Sequence, residues 1–373
     1  MKTKYFLLAA FLTASCLVRS VAQNYDIYIS DAGNFSSPPW QILKFDANGQ
    51  NGQVFIAQHL AWPQDIFFLE NENTVLVSNL NNGRISKFNA STGAFIAEFA
   101  TGISGPTRMS LGPDSLLYVL QWQGNGKVRR YKLTGEYVGE FTKTGVPASI
   151  GLDWDAGGNL YVSSYSGKYV RKFGTDGADL GNFAATNLAG PTNIWFAENG
   201  DLMVMDYEGA SIKRFDNQGA YKGVFVSGLT RGEGVDFLPN GHFVVGSGGA
   251  SSIREYDATG TFVKNLVAPG TLGLITPNAV ILRLKPASST QELYRDVTFV
   301  TPSIGAVFQI SNPESLQGVD TLDVYSSTGV LVRKISFAAG AGWDASNVPA
   351  GVYYLSAKLP NGAMGRQTVV VQR

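Results

Sequence analysis

The chain has 373 residues, with 29 lysines and arginines against 29 aspartates and glutamates, so its formal net charge at pH 7 is zero. This balance disfavours a nucleic-acid partner, which would require a basic surface to neutralise phosphates. With two histidines, His59 and His242, and one cysteine, Cys16, the composition also disfavours a histidine-rich metal centre and a thiolate nucleophile.

The first 22 residues have the three-part pattern of a secretory signal peptide. Lys2 and Lys4 precede an apolar run at 5–18, and small residues lie three and one positions before a cut at Ala22. The apolar run is shorter than the ~20 residues that span a bilayer. We therefore predict that residues 1–22 are removed and that the protein is secreted, with no transmembrane segment.

The next 260 or so residues contain an internal repeat of about 42 residues. In each unit an aromatic residue is followed four or five positions later by glycine, with turn-forming residues between them. This pattern predicts two strands joined by a tight turn that contains a residue at positive φ. The six aromatic residues are Phe45, Phe88, Tyr131, Phe173, Phe215 and Tyr256, and the glycines are Gly49, Gly93, Gly135, Gly177, Gly219 and Gly260.

Each repeat shows four short strand signals. In one unit these are Pro191–Phe196, Asp201–Met205, Ser211–Phe215 and Tyr221–Phe225, and Asn199-Gly200 predicts a two-residue hairpin between the first two. Four strands in each of six units predict an all-β fold, a six-bladed β-propeller spanning residues 23–284.

The two ends of the repeat region predict how the propeller closes. The chain enters in mid-unit, because Asp26–Ser30 matches the second strand of a repeat, and the missing first strand appears as Pro277–Leu282. We expect these N- and C-terminal strands to pair in one blade, which would remove two open sheet edges.

One unit also carries the features of a known repeat family. Pro191 and Ile194 are followed by Gly200 to Asp206 in the pattern Gly-x-Leu-x-Val-x-Asp, and then by Ile212 and Phe215. This pattern resembles NHL-type repeats, which are similar to the regucalcin/gluconolactonase propellers. The resemblance implies the propeller fold for residues 25–283. In the second group a calcium centre polarises a lactone carbonyl and activates water.

Aligning the repeats places one residue pair of each unit at the start of the first strand, around the mouth of the central channel. Four of these residues carry carboxylate or amide oxygens that a hard cation such as calcium prefers. Glu233, which lies between two glycines, is the candidate catalytic residue, whereas Arg108 would repel a cation. The alternative is that these polar side chains only cap loops. The aligned pairs are Gln64-Asp65, Thr107-Arg108, Ala148-Ser149, Thr192-Asn193, Glu233-Gly234 and Asn278-Ala279, and the candidate metal ligands are Asp65, Asn193, Glu233 and Asn278.

A second set of residues lies where the second strand of each unit ends. All six are polar, and we expect them to cap the loop that follows. Trp122, Tyr165 and Tyr207 come directly after three of them and form a candidate platform for sugar rings or an extended peptide, with Arg108 as a further candidate ligand-binding residue. The six polar residues are Asp31, Asn79, Gln121, Ser164, Asp206 and Ser247.

The repeat stops after Leu282, and we predict a linker at 285–297 and a small β-sandwich at 298–373. The strand before Ser327-Thr328-Gly329, the segment Val348–Tyr353 and the basic end at 366–373 resemble the C-terminal sorting domain of the Bacteroidetes type IX secretion system. The resemblance implies that the type IX machinery is a partner and that the protein is released or attached to the outer cell surface. The alternative is an appended adhesive domain.

The sequence leaves three functions open. The first is recognition of an extracellular glycan or protein near Trp122, Tyr165 and Tyr207. The second is a calcium-dependent lactonase or related hydrolase, and the third is a structural surface protein without a small ligand. The scarcity of histidine favours binding over catalysis, and calcium is the cofactor that the second function would require.

Overall fold

A computed structural model of the chain describes residues 25–285, 295–310, 319, 321–326, 331–336, 342–359 and 364–372. The chain divides into two compact units, residues 1–285 and 286–373. The predicted signal peptide, most of the predicted linker and the segment Ser327-Thr328-Gly329 lie outside the described residues.

The first unit is built from strands that form six antiparallel sheets of four strands across residues 25–285. Two short 3₁₀ turns, Glu70–Glu72 and Thr271–Gly273, are its helical elements. The strands are β1 (Tyr25–Asp31), β2 (Gln41–Asp46), β3 (Gln53–Ile56), β4 (Pro63–Leu69), β5 (Thr74–Asn79), β6 (Arg84–Asn89), β7 (Phe95–Ala100), β8 (Pro106–Leu111), β9 (Leu117–Gln121), β10 (Arg129–Tyr131), β11 (Tyr137–Glu140), β12 (Ser149–Trp154), β13 (Leu160–Ser164), β14 (Tyr169–Phe173), β15 (Asp179–Ala184), β16 (Pro191–Phe196), β17 (Leu202–Asp206), β18 (Ser211–Phe215), β19 (Tyr221–Ser227), β20 (Gly232–Phe237), β21 (Phe243–Ser247), β22 (Ser252–Tyr256), β23 (Phe262–Val267) and β24 (Pro277–Leu284).

The six sheets are arranged in a ring. Sheet I has the order β24-β1-β2-β3, and sheets II to VI are β4–β7, β8–β11, β12–β15, β16–β19 and β20–β23. The first strand of each sheet packs against the first strand of the next, and β24 packs against both β20 and β4. The ring is therefore closed, which is the arrangement of a β-propeller.

Sheet I is completed by the two ends of the unit. β1 pairs antiparallel with β24, and the register joins Ile29 to Val280 and Ile27 to Leu282. The structure thus shows the strand pairing that the sequence predicts for Asp26–Ser30 and Pro277–Leu282. Ile27, Ile29 and Val280 are buried in one hydrophobic cluster, so the closure is held by apolar packing as well as by the backbone ladder.

The repeat aromatic and the repeat glycine have distinct structural roles. All six aromatics are at most 3% exposed. All six glycines have positive φ, between 72° and 94°. Each glycine also lies against a carbonyl in or next to the outer strand of the preceding sheet: a Cβ on Gly219, for example, would lie 1.9 Å from the Phe183 oxygen of β15. Glycine is therefore required both by the turn and by the contact between sheets.

The predicted two-residue hairpin at Asn199-Gly200 is wrong in length. The Ala197 amide donates to the carbonyl of Asp201, so three residues lie within the turn, and Gly200 has a φ of 82°. Gly200 has the positive φ that the sequence predicts, but it is the last residue of a three-residue loop, a loop type that also accommodates glycine.

Two pairs of first strands approach each other closely because of a Gly-x-Asp pattern. A Cβ on Gly151 of β12 would lie 2.3 Å from the Thr192 oxygen of β16. Two residues later, Asp153 accepts a hydrogen bond from the Phe196 amide at 2.9 Å. Gly234 and Asp236 make the equivalent contacts from β20 to β24, in which Asp236 accepts a hydrogen bond from the Leu282 amide at 2.7 Å.

Sheets V and VI lack this link. Trp195 of β16 occupies the position that Asp153 occupies in sheet IV, because Trp195 pairs with Met203 in the same register in which Asp153 pairs with Tyr161. An indole at this position cannot accept the backbone hydrogen bond that a carboxylate accepts. A cavity of about 720 Å³ lies between the two sheets here, and Trp195 and Phe237 are among its lining residues.

The second unit contains two sheets among its described residues. One has the order β25-β33-β32-β29-β30, with β27 also paired to β33, and the other has the order β26-β28-β31. Phe299, Phe308 and Trp343 are fully buried in the hydrophobic cluster that the two sheets share. The strands are β25 (Arg295–Asp296), β26 (Val300–Thr301), β27 (Ile304–Gly305), β28 (Val307–Ile310), β29 (Thr321–Ser326), β30 (Leu331–Ser336), β31 (Gly342–Asp344), β32 (Gly351–Lys358) and β33 (Met364–Val371).

Replacing Gly151 by alanine should destabilise the first unit, because the added methyl group would overlap the β16 backbone. We expect a loss of roughly 1–3 kcal/mol in the free energy of unfolding, measured by urea denaturation. Gly157→Ala is the matched control, since its nearest neighbours are the side-chain ends of Asp155 and Asn159 at 3.2 and 3.3 Å. Equal losses in both variants would contradict the close approach of β12 and β16.

Candidate functional site

One end of the ring carries a pocket of about 320 Å³, which we call the channel-mouth pocket. Five of the six sheets contribute an aromatic residue to its wall, either from a loop before a first strand or from one after a second strand. Sheet VI instead contributes Arg231 and Glu233. The lining residues are Phe35, Trp62, Gln64, Leu80, Trp122, Ile150, Tyr165, Thr192, Tyr207, Glu208, Arg231 and Glu233.

The strand register shows which first-strand residues are equivalent. Pro63 pairs with Asn79 in sheet II, and Ser149 pairs with Ser164 in sheet IV. The residues that correspond to Gln64-Asp65 are therefore Ile150-Gly151, so the predicted alignment of Ala148-Ser149 is wrong by two residues. The shift arises because β12 begins with serine, whereas four other first strands begin with proline, and the proline of this repeat, Pro147, lies two residues before Ser149.

Arg108 connects three of the predicted site residues at the bottom of the pocket. Its Nη1 donates to Asp65 Oδ1 at 3.0 Å, and its Nη2 donates to the Asn278 carbonyl at 3.2 Å. The same Nη2 lies 3.7 Å from Glu233 Oε1. Since Arg108 belongs to β8 and its partners belong to β4, β20 and β24, the side chain links first strands on different sides of the ring.

Gln64 makes a second link across the ring. The donors and acceptors around its amide fix its orientation: the nitrogen donates to Glu233 Oε1 at 2.7 Å. The oxygen accepts hydrogen bonds from Asn278 Nδ2 at 2.9 Å and from Trp62 Nε1 at 2.8 Å. The alignment of the repeats places Gln64 beside Asp65, but a glutamine at that position did not by itself predict a site residue.

Burial controls the ionisation of both carboxyl groups. Burial raises the pKa of Asp65, against the opposing effects of Arg108 and of the Met109 amide, which donates to Asp65 Oδ2 at 2.7 Å. Burial raises the pKa of Glu233 to about 8; Arg108 opposes the rise and the charge of Asp65 adds to it. Glu233 is therefore mostly protonated at pH 7, which makes it a neutral hydrogen-bonding group.

These contacts do not fit a calcium ion. Asp65 uses both oxygens within the protein, and the Arg108 guanidinium lies where a cation between Asp65 and Glu233 would be repelled. Asn193 accepts a hydrogen bond from the Ile194 amide, and across residues 25–285 no hydrogen bond joins it to the other predicted ligands. The described residues contain no group of three or more acidic, histidine or cysteine side chains that could hold a metal. The calcium site stays a prediction, and we derive no chemistry through it.

The predicted aromatic platform is a continuous row of rings. The centroids of Trp122 and Tyr165 are 5.5 Å apart, and those of Tyr165 and Tyr207 are 6.0 Å apart in an edge-to-face arrangement. The Tyr165 hydroxyl donates to Glu208, which holds the middle ring in place. Phe35 and Trp62, whose centroids are 4.9 Å apart, form a second aromatic pair in the wall. They occupy loops with no repeated pattern, so periodicity could not predict them.

The six polar residues at the ends of the second strands are buried, and they do cap loops. All six contact the loop before the first strand, which was not predicted. Asp31, Gln121 and Ser164 also contact the loop that follows the second strand, as predicted. Asn79 accepts a hydrogen bond from the Ala61 amide, and Asp206 accepts one from the Gly190 amide. The side chains turn this way because each second strand ends beside the start of its own first strand.

Comparisons with known proteins bear on the fold. No family model matches the chain, and no curated protein matches its sequence. Among solved structures, it is similar to a chain of a nidogen/laminin complex, with a TM-score of 0.57 and 14% identity over 70% of this chain and 98% of that chain. It is similar to a protein of unknown function from Bacteroides caccae, with a TM-score of 0.55 and 13% identity over 70% and 99%. Virginiamycin B lyase from Staphylococcus aureus has a TM-score of 0.47 and 13% identity over 64% and 86%.

The first two likenesses support the β-propeller fold and nothing about activity, because their sequence identities are low. In the described part of the chain, no helix is both long enough and apolar enough to cross a membrane.

Replacing Arg108 by alanine should leave the Asp65 carboxyl group buried without its counter-ion. We expect a loss of about 3–5 kcal/mol in the free energy of unfolding, measured by chemical denaturation. Arg84→Ala is the control, because the Arg84–Glu98 pair is more exposed and an exposed pair contributes at most about 1 kcal/mol. Similar losses of stability in both variants would show that the buried Arg108–Asp65 pair contributes no more than an exposed ion pair.

The Glu233→Gln variant should change how stability depends on pH. The pKa of Glu233 rises from 4.5 to about 8 on folding, so its contribution to stability is full below about pH 4.5 and is lost as the pH rises toward 8. The stability of the wild type relative to Glu233→Gln should therefore fall across this window, by up to ~1.4 kcal/mol per pH unit. Urea denaturation of both proteins at a series of pH values measures it, and a difference that does not vary with pH would refute the assignment.

Proposed function

We propose that this chain is an extracellular or cell-surface recognition protein in which a six-bladed β-propeller binds a glycan or protein ligand. The observation that carries the proposal is the channel-mouth pocket, where aromatic rings from five sheets surround a polar floor. The six sheets of the ring correspond to the six blades.

The pocket has the two properties that such ligands require. Its aromatic wall presents flat apolar surfaces, on which a sugar ring or an apolar side chain can stack. Its floor presents Gln64, Thr192 and Glu233, which offer hydrogen bonds to hydroxyl or amide groups. Arg108 does not line the pocket, but it lies 3.7 Å from Glu233 and contacts Asp65 and Asn278, so it supports the polar residues from within the protein.

The export route is part of the same proposal. Residues 1–22 would direct the chain across the inner membrane, and residues 298–373 would direct it through the type IX secretion machinery as a sorting domain. The two sheets of the second unit share one hydrophobic core, which supports a β-sandwich as the form of that domain. Secretion can be tested by fractionating cells that express the full chain or a chain without residues 298–373.

Replacing Trp122 by alanine should weaken ligand capture, because it removes one end of the aromatic row. We expect the best ligands on a glycan array and a peptide array to bind at least about tenfold more weakly, as expected for the loss of a central aromatic contact. Phe262→Ala is the matched control, since this exposed ring lies on the outer strand of sheet VI. Unchanged capture by Trp122→Ala, or no capture by the wild type, would reject the proposal.

The second candidate function is a calcium-dependent lactonase. Asp65, Glu233 and Asn278 do meet at the channel mouth, but the Arg108 guanidinium among them opposes a cation, so this function is less favoured than recognition. Calcium bound to the native state at ~100 times its Kd would add about 2.7 kcal/mol. Thermal unfolding in EDTA and then in millimolar calcium separates this function from recognition. A structural protein without a small ligand would show neither calcium stabilisation nor capture.

A further inference from the structure

The wall of the channel-mouth pocket is unusually rich in aromatic rings for its size. Phe35, Trp62, Trp122, Tyr165 and Tyr207 line one cavity of about 320 Å³. The rings form two groups, a pair and a row of three, with neighbouring centroids between 4.9 and 6.0 Å apart. Aromatic faces carry a negative quadrupole, so a cavity walled by several of them attracts a cation and disfavours an anion.

The acidic group of the pocket is Glu233, which comes from the sheet that supplies no aromatic residue. Its side chain is 6% exposed, and it receives a hydrogen bond from Gln64. Its nearest cation, Arg108, is engaged with Asp65 at 3.0 Å and lies 3.7 Å away from Glu233. The positive charge of Arg108 is thus largely matched by Asp65, and Glu233 is mostly protonated at pH 7 in the free protein. A cation bound beside Glu233 would favour loss of that proton, because a nearby opposite charge stabilises the carboxylate.

The other charges at the pocket lie at its rim. Glu208 accepts a hydrogen bond from the Tyr165 hydroxyl, and Arg231 is exposed on the loop before β20. Both of these side chains are exposed and therefore screened by solvent, whereas Glu233 is buried. The electrostatic preference of the pocket is therefore set by the aromatic wall and by Glu233.

We propose that the channel-mouth pocket selects ligands that carry an ammonium group, such as an amino sugar, a quaternary ammonium compound or an amine-bearing side chain. The ammonium group lies among the aromatic rings and faces the Glu233 carboxyl group. The inference rests on the proposed recognition function and narrows it to a chemical class of ligand. A neutral sugar or an acidic ligand would use only the stacking and hydrogen bonds, so it would bind more weakly.

The experiment compares two small probes of the same shape. Choline carries a permanent positive charge, and dimethylbutanol is its isostere in which a carbon atom replaces the nitrogen. Isothermal titration of the purified protein with each probe should show choline binding at least about tenfold more tightly, which is the size of a desolvated cation–π contact. The two probes share their apolar surface, so the difference isolates the charge.

Two variants identify the residues responsible. Glu233→Gln keeps the size and a hydrogen-bonding group but removes the acid, and it should reduce the preference for choline to about threefold or less. Glu136→Gln is the matched control, because Glu136 is an exposed acid that pairs with Lys132 in the turn between β10 and β11 and does not line the pocket, and it should keep the full preference. Trp122→Ala should weaken the binding of both probes.

Three results would overturn the inference: equal affinity for choline and dimethylbutanol, no saturable choline binding, or a full preference retained in Glu233→Gln. Failure here is distinguishable from failure of the proposed function. If the arrays still show glycan or peptide capture that depends on Trp122, the recognition function stands and only the ligand class is wrong. If capture is absent or independent of Trp122, the recognition function itself falls.

Discussion

The pairing of β24 with β1 is the constraint on which the rest of the first unit depends. These strands are separated by almost the whole unit in sequence, and their pairing closes a ring that otherwise would have two free edges. Closure also brings Asn278 of β24 to the side of β4 and β8, where it contacts Gln64 and Arg108. Without it the channel-mouth pocket would lack part of its floor.

The ring is regular at its periphery and irregular at its centre. The outer turns repeat one solution, a glycine at positive φ against a neighbouring carbonyl. The first strands differ from sheet to sheet, and those differences create specific sites. Gly151 and Asp153 draw two sheets together, whereas Trp195 leaves a cavity between the next two. Function in such a fold resides where a unit departs from the repeat.

The channel-mouth residues show why residue type alone does not define a site. Asp65 and Glu233 are both acids at the start of a first strand, but Asp65 is held by Arg108 and a backbone amide, and Glu233 lines the pocket. Asp65 is therefore held within the protein, whereas Glu233 lines the pocket that we propose as the binding site. The same arginine that argues against a calcium ion is engaged mainly by Asp65, and Glu233 remains the buried acid of the pocket.

The features that recur with a fixed spacing could be predicted from the amino-acid sequence. The buried aromatics, the turn glycines, the number of strands in each repeat and the pairing of the two ends all follow from local pattern and periodicity, because each is set by contacts that every unit repeats. The aromatics Trp122, Tyr165 and Tyr207 could be placed together for the same reason.

The features that differ from one unit to the next could not be predicted without the folded structure. The two-residue shift at Ser149, the direction in which the polar caps turn, and the contributions of Gln64, Phe35 and Trp62 depend on neighbours that are distant in sequence. The raised pKa of Glu233 also depends on residues that are distant in sequence, since it arises from burial and from the charge of Asp65, and Arg108 opposes it. Periodicity fixes backbone position, but the environment of a side chain is set by three-dimensional packing.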